Sequence, residues 1–88
     1  MEIIYSSKFA REYKKLPANI KDIAEEQEAI FRKDPFDPKL KTHKLKGKLS
    51  GFLSFSIGYQ YRIIFEFSKK DKKIVYFHSV GDHEIYHC

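Results

Sequence analysis

The spacing of apolar residues changes near the middle of the chain, from a period of three to four residues to a period of two. In the first half, Phe9, Tyr13 and Leu16 recur as one face of a helix does, and a longer repeat of the same kind follows. The second repeat ends where Pro35 and Pro38 break the helical pattern. The pattern predicts two helices packed as a hairpin. The second helix has its apolar face at Ile20, Ile23, Ala24, Gln27, Ile30 and Phe31.

Alternation of apolar and polar residues from Gly51 onward predicts three consecutive strands, and a β-branched run at residues 2–5 predicts a strand ahead of the helices. The resulting order, β-α-α-β-β-β, predicts an α+β fold in which the helical hairpin covers one face of a small, mostly antiparallel sheet. No repeat, low-complexity tract or linker divides the sequence, so residues 1–88 are expected to form a single domain. The alternating runs are residues 53–57, 60–67 and 74–80.

The composition of the chain limits the partners it can bind and the cellular compartment in which it is expected. The chain has 88 residues, with 17 lysines and arginines against 12 acids and a formal net charge of +5. This balance favours anionic partners such as nucleic acid or an acidic protein. The single cysteine excludes an internal disulfide, and no apolar run is long enough for a membrane helix. Because the first residues lack the features of a signal peptide, the protein is expected in the cytoplasm.

The segment with the most unbalanced charge is residues 39–48, which contains five lysines and one histidine but no acidic residue. A lysine that neutralises a phosphate releases counterions and strengthens binding, so the segment is a candidate phosphate-binding site. A solvated loop edge would have the same composition. Leu40 and Leu45 are expected to hold the segment on the core. The candidate phosphate ligands are Lys41, Lys44, Lys46 and Lys48.

A second candidate site follows the last strand, where two histidines, a tyrosine and two acids stand within six residues. Such groups donate and accept protons near neutral pH, which suits acid–base chemistry. A polar terminus with incidental histidines is the plainer interpretation, and zinc binding is the weakest of the three. The residues concerned are Asp82, His83, Glu84, Tyr86 and His87.

Arg62 alternates with the apolar positions of its strand and is expected on the sheet face that the helices leave open. Its alternative role is an ion pair with a nearby acid such as Glu66. His78 shares its phase with Tyr76 and Val80, which predicts a hydrogen-bonded core histidine.

Three segments, taken in order, resemble the RelE/ParE superfamily of type II toxins. They are His43-Lys44-Leu45-Lys46-Gly47, the strand from Gly58 to Phe65 and the ending from Val80 to Tyr86. The likeness is greatest to the RelE/YafQ side, whose members are ribosome-dependent mRNA endonucleases paired with an antitoxin. It implies cleavage in the ribosomal A site without a metal or other cofactor. It also implies an acidic, partly disordered antitoxin, through which the complex can bind its own operator DNA.

The resemblance implies a role for individual residues as well. Lys44 and Lys46 match the basic residues around the scissile phosphate, and Arg62 matches the strand arginine that steadies it. His43 and His83 match acid–base candidates, and which is the acid stays open because RelE has a basic residue at the position of His83. The list is completed by Tyr86, which matches a tyrosine that stacks on a base or orients the attacking hydroxyl.

Two other functions are compatible with the same residues. A ParE-like toxin of the same fold would inhibit DNA gyrase, although the histidines argue against it because such toxins generally lack a matched acid–base set. A non-catalytic RNA-binding domain would use the basic segment alone. Toxicity that survives replacement of His43 and His83 by alanine would favour this RNA-binding domain.

Overall fold

Two helices cover one face of a five-stranded sheet in the computed structural model, which describes residues 1–82. The α+β architecture and the order predicted from the sequence are confirmed, with one short strand added after the helices. Two 3₁₀ turns, Pro38–Leu40 and Gly47–Leu49, flank that strand. The elements are β1 (Glu2–Tyr5), α1 (Ser7–Lys14), α2 (Ala18–Lys33), β2 (His43–Lys44), β3 (Leu53–Ile57), β4 (Tyr61–Phe67) and β5 (Ile74–Asp82).

The sheet has the strand order β1-β5-β4-β3-β2. Strands β2 to β5 are antiparallel neighbours, whereas β1 runs parallel to β5 at the far edge. The expectation of a mostly antiparallel sheet is therefore confirmed. The connection from β1 to β5 runs through both helices and strands β2 to β4, so it exceeds the dozen or so residues that a parallel pair requires.

The core is centred on Phe31 of α2, which is fully buried against the sheet. Its ring stacks on Phe55 at a centroid distance of 4.8 Å and meets the edges of Phe65 and Phe77 at 4.9 and 5.3 Å. Each such aromatic pair adds about 0.5–1.5 kcal/mol beyond its buried area. The three sheet rings come from β3, β4 and β5, so one side chain of α2 ties together the three central strands.

Two contacts fix the segment that carries the lysines. Leu40 is fully buried, which confirms the expectation that it anchors this segment. The Gln27 side chain donates hydrogen bonds to the carbonyl oxygens of Lys39 and Ser56, at 3.2 and 3.0 Å. Helix α2 thereby connects the start of the basic segment to β3, and β2 is held beside β3 as an edge strand.

A β-bulge interrupts the pairing of β4 with β5. Ile64 pairs with Ser79 but Phe65 pairs with Phe77, so His78 is the extra residue. Residues before and after the bulge keep their apolar side chains on the helix side, whereas His78 points to the opposite face. The prediction of a core histidine is therefore wrong: His78 is hydrogen-bonded, but its side chain is 38% exposed. The prediction assumes unbroken alternation along β5, and the bulge shifts the phase of that alternation by one residue.

Hydrogen bonds from α1 and its N-cap residue hold the backbone of this bulge in place. Ser6 caps the helix by accepting a hydrogen bond from the Phe9 amide at 2.9 Å, and its hydroxyl donates to the His78 carbonyl oxygen at 2.8 Å. The Glu12 carboxylate accepts a hydrogen bond from the Val80 amide at 3.1 Å. Backbone groups freed by the bulge thus find partners, which satisfies the requirement that buried polar groups be paired.

Candidate active site

The sheet face turned away from the helices carries the polar residues of the site. Residues directly opposite one another on paired strands point to the same face. His43 pairs with Ser54, and Ser54 pairs in turn with Ile64. Arg62 is two residues from Ile64 on β4, so it shares this face, as its alternation predicted. His43 and Arg62 lie on strands two places apart, which separates their backbones by ~10 Å across the sheet.

The ring of His43 is oriented by its own segment. Its Nδ1 lies 3.2 Å from the carbonyl oxygen of Lys41, and because a carbonyl can only accept, Nδ1 carries the hydrogen in this contact. In the neutral ring, Nε2 is then the atom with the free lone pair, and it lies 3.5 Å from the Ser54 hydroxyl. Lys41 adopts a left-handed backbone conformation with φ 54°, which marks a turn just ahead of β2. His43 therefore presents a proton acceptor to the open face.

Two of the four candidate lysines lie beside His43. A pocket of about 380 Å³ is lined by His43, Lys46, Lys48 and the leucines at 45 and 49. The 3₁₀ turn Gly47–Leu49 folds the lysines round it, and Gly47 has the positive φ of 67° that this turn requires. The pocket combines a proton acceptor with two cations, which suits a phosphodiester.

The other two lysines are placed differently. Lys44 pairs with the buried Leu53, so it points to the helix side of the sheet and lines a separate groove with Phe36 and Phe67. Lys41 is exposed and contributes its carbonyl oxygen to His43. The alternation of a β-strand explains the division, because neighbours on β2 face opposite sides.

Arg62 is half-buried, and one nitrogen of its charged guanidinium is fully buried. Its Nη1 is buried, and no hydrogen-bond partner for this atom is found in the part of the chain that the structure describes. The alternative ion pair with Glu66 is not formed, since Glu66 bonds His78 instead. Leaving a buried charged donor unpaired is costly, and it is typical of groups that await a ligand.

His78 and Glu66 are functional candidates that the sequence analysis missed. The His78 Nε2 lies 3.1 Å from a carboxylate oxygen of Glu66, and the edge of its ring meets Phe52 at a centroid distance of 4.9 Å. The step of three residues from the apolar Phe77 to the apolar Val80 is the signal that could have revealed the bulge. With it, His78 would have been assigned to the open face.

The remaining sequence candidates, His83 and Tyr86, lie outside the described residues, as does most of the cluster considered for zinc. Within residues 1–82, no group of three or more histidine, cysteine or acidic side chains could hold a metal ion. None of the helices there is both long and apolar enough to cross a membrane.

Two helices packed on one face of this five-stranded sheet give the fold of the RelE/ParE class of toxins, and this chain has that fold. Solved structures of the class superpose over nearly the whole chain. The YoeB/ParE toxin from Agrobacterium tumefaciens has a TM-score of 0.78 at 17% identity, covering 94% of this chain and 99% of the other. YafQ from E. coli has a TM-score of 0.74 at 16% identity, covering 97% and 96%.

A third similar structure is the toxin–antitoxin complex RelBE2 from Mycobacterium tuberculosis, with a TM-score of 0.73 and 19% identity. It covers 93% of this chain and 96% of the other. No family model and no curated protein sequence matches the chain. The likeness is therefore one of fold, and the function has to be argued from the site.

Proposed function

We propose that the chain is the toxin of a type II toxin–antitoxin system and cleaves messenger RNA in the ribosomal A site. One observation carries the proposal. The open face combines His43, which presents a proton-accepting Nε2, with Arg62, whose buried Nη1 has no hydrogen-bond partner among residues 1–82. Solved structures named as YafQ, YoeB/ParE and RelBE2 share the fold, which supports the same class of activity.

The proposed reaction needs no group beyond protein side chains. His43 takes the proton of the RNA 2′-hydroxyl through Nε2, and the oxygen attacks the adjacent phosphorus. Arg62 and the lysines of the pocket stabilise the negative charge that develops on the phosphate oxygens. The bond to the 5′ oxygen breaks, which leaves a 2′,3′-cyclic phosphate and a 5′-hydroxyl end. His83 and Tyr86 keep the roles that the resemblance implies, as proton donor or acceptor and as the group that orients the substrate.

The proposed partners follow from charge. A net charge of +5 suits ribosomal RNA, which the toxin meets in the cytoplasm, and it suits an acidic antitoxin that folds over the toxin surface. The similar RelBE2 structure is a toxin–antitoxin complex. Binding of operator DNA belongs to the antitoxin in this proposal.

Primer extension on a message translated in vitro tests the activity. The purified chain is expected to produce new 5′ ends at A-site codons, only when ribosomes are present. His43→Gln keeps the size of the side chain but removes the base, so the cleavage rate is expected to fall about 10²–10⁴-fold. Lys72 is exposed and lines the groove on the opposite face of the sheet, so Lys72→Gln serves as the surface control.

Three results would contradict the proposal. An intact message together with loss of gyrase supercoiling would assign the chain to the ParE-like gyrase inhibitors. Cleavage of RNA without ribosomes would make it a free ribonuclease. An intact message with ribosome binding retained would indicate a non-catalytic RNA-binding domain.

The salt dependence of ribosome binding tests the pocket. Replacing Lys46 and Lys48 together by glutamine is expected to reduce the slope of log affinity against log salt by about 1.5, because each phosphate contact contributes ~0.7–0.9. The double variant of Lys72 and Lys73, which line the groove on the other side of the sheet, is expected to keep the slope. Equal effects of the two pairs would show that the charge acts without a defined site.

A further inference from the structure

The open face holds a second histidine, His78, whose ring contacts the side chains of Glu66 and Phe52. His78 donates or shares a hydrogen bond with Glu66 at 3.1 Å, and both side chains keep access to solvent, at 38% and 30% exposed. Phe52 packs against the ring edge at 4.9 Å. The position exists because the β-bulge turns His78 away from the core, and bulges are over-represented beside active sites, where they re-aim a side chain.

We propose that His78 is a catalytic residue of the cleavage reaction, the general acid that protonates the leaving 5′ oxygen, and that Glu66 positions it. The proposal rests on the function proposed above. A carboxylate can only accept, so Glu66 holds the hydrogen on Nε2 and leaves Nδ1 as the nitrogen that exchanges a proton with substrate. Nδ1 has no hydrogen-bond partner among residues 1–82. A carboxylate orients the imidazole of a catalytic triad in the same way.

The two histidines approach the substrate site from different sides. His43 stands on β2 and reaches Ser54 of β3, while His78 stands on β5 and reaches Glu66 of β4. Strands β3 and β4 separate β2 from β5, so a phosphodiester bound on this face between β2 and β5 would have one histidine on each side. Displacement at phosphorus requires the attacking and leaving oxygens roughly in line, so its base and acid must stand on opposite sides.

Each proton that moves in this step has a donor and an acceptor. The 2′-hydroxyl loses its proton to Nε2 of His43 as the bond from the 2′ oxygen to phosphorus forms. The bond from phosphorus to the 5′ oxygen breaks, and this oxygen receives the proton from Nδ1 of His78. One histidine ends protonated and the other neutral, and exchange with solvent restores both.

A substrate with sulfur in place of the scissile 5′ oxygen tests this role. A thiolate leaves without a proton because the pKa of a thiol is near 8.5, so the acid is not needed for this substrate. His78→Gln is expected to cleave the oxygen substrate about 10²–10⁴-fold more slowly than wild type and the sulfur substrate at a rate near wild type. Glu66→Gln is expected to show the same pattern with a smaller loss. Tyr76→Phe, on the same face, is the matched control and is expected to cleave both normally.

Each other outcome overturns the inference. Equal losses on both substrates would mean that His78 acts through the fold, and thermal unfolding of the variants would then show the loss of stability. Sulfur rescue of His83→Gln but not of His78→Gln would assign the acid to His83. Unimpaired cleavage by His78→Gln would remove it from the reaction. If wild type cleaves neither substrate, the proposed function itself fails, which separates that result from the others.

Discussion

Replacement of Arg62 by methionine is expected to slow message cleavage about 10²–10³-fold and to raise the free energy of unfolding by about 1 kcal/mol. The activity falls because the guanidinium is the proposed donor to the phosphate oxygens, and one such donor is typically worth this factor. The stability rises because the buried Nη1 has no hydrogen-bond partner within residues 1–82, a state that costs ~1–3 kcal/mol. Urea denaturation and primer extension on the same preparation measure both effects.

Arg11→Met is the matched control, since Arg11 is exposed on α1 and is expected to change neither quantity. Arg62→Lys separates charge from geometry, because lysine keeps the charge but lacks the planar fork. A loss of stability together with the loss of cleavage in Arg62→Met would show that the guanidinium supports the fold. Opposite changes in activity and stability are the signature of a residue kept for its ligand.

Replacement of Phe31 by alanine is expected to remove about 3–5 kcal/mol from the free energy of unfolding, as deletion of a buried phenylalanine does. Phe31 contacts rings from β3, β4 and β5, so the cavity would lie where three strands and α2 meet. Small domains are stable by only ~5–15 kcal/mol, so much of the stability would be lost. The midpoint and slope of urea denaturation give the value.

Phe36→Ala provides the comparison, because Phe36 is 57% exposed and is expected to cost about 1 kcal/mol or less. The same chemical deletion at the two positions isolates the effect of burial. A loss at Phe31 no larger than at Phe36 would mean that the core collapses round the cavity and is not held by this ring.

The sequence predicted most of the fold because its elements bury one face each. The apolar spacing of α2 and the alternation in β3 and β4 follow from that requirement, and the structure has a helix and two strands there, although Ser54 and Ile64 on the opposite face are buried as well. Strand β2 was missed because it has only two residues, and both are exposed. Its pairing with β3 depends on Leu40 and Gln27 fixing the preceding turn, and such tertiary contacts leave no periodic signal.

The candidate site was predicted in part. Arg62 lies on the open face, as its alternation predicted, and His43 shares a pocket with Lys46 and Lys48 of the same basic segment. The basic composition of the segment and the resemblance both group Lys44 with them, but it pairs with the buried Leu53 and points to the helix side, since neighbours on a strand face opposite ways. His78 was assigned to the core because one inserted residue in β5 reverses the phase of everything before it.

The parallel pairing of β1 with β5 has a consequence for the order in which the chain is assembled during synthesis. Ile3 takes its place beside Val75, which is made 72 residues later. At about 5–20 residues per second, the first strand waits several seconds for its neighbour. His78 and the bulge that orients it belong to the same late segment, so the hydrogen bonds of Ser6 to the His78 carbonyl and of Glu12 to the Val80 amide form only after β5 has been made. While a ribosome is still synthesising this protein, the proposed active site is therefore incomplete, and it is completed only when β5 has been made and has paired with β1 and β4.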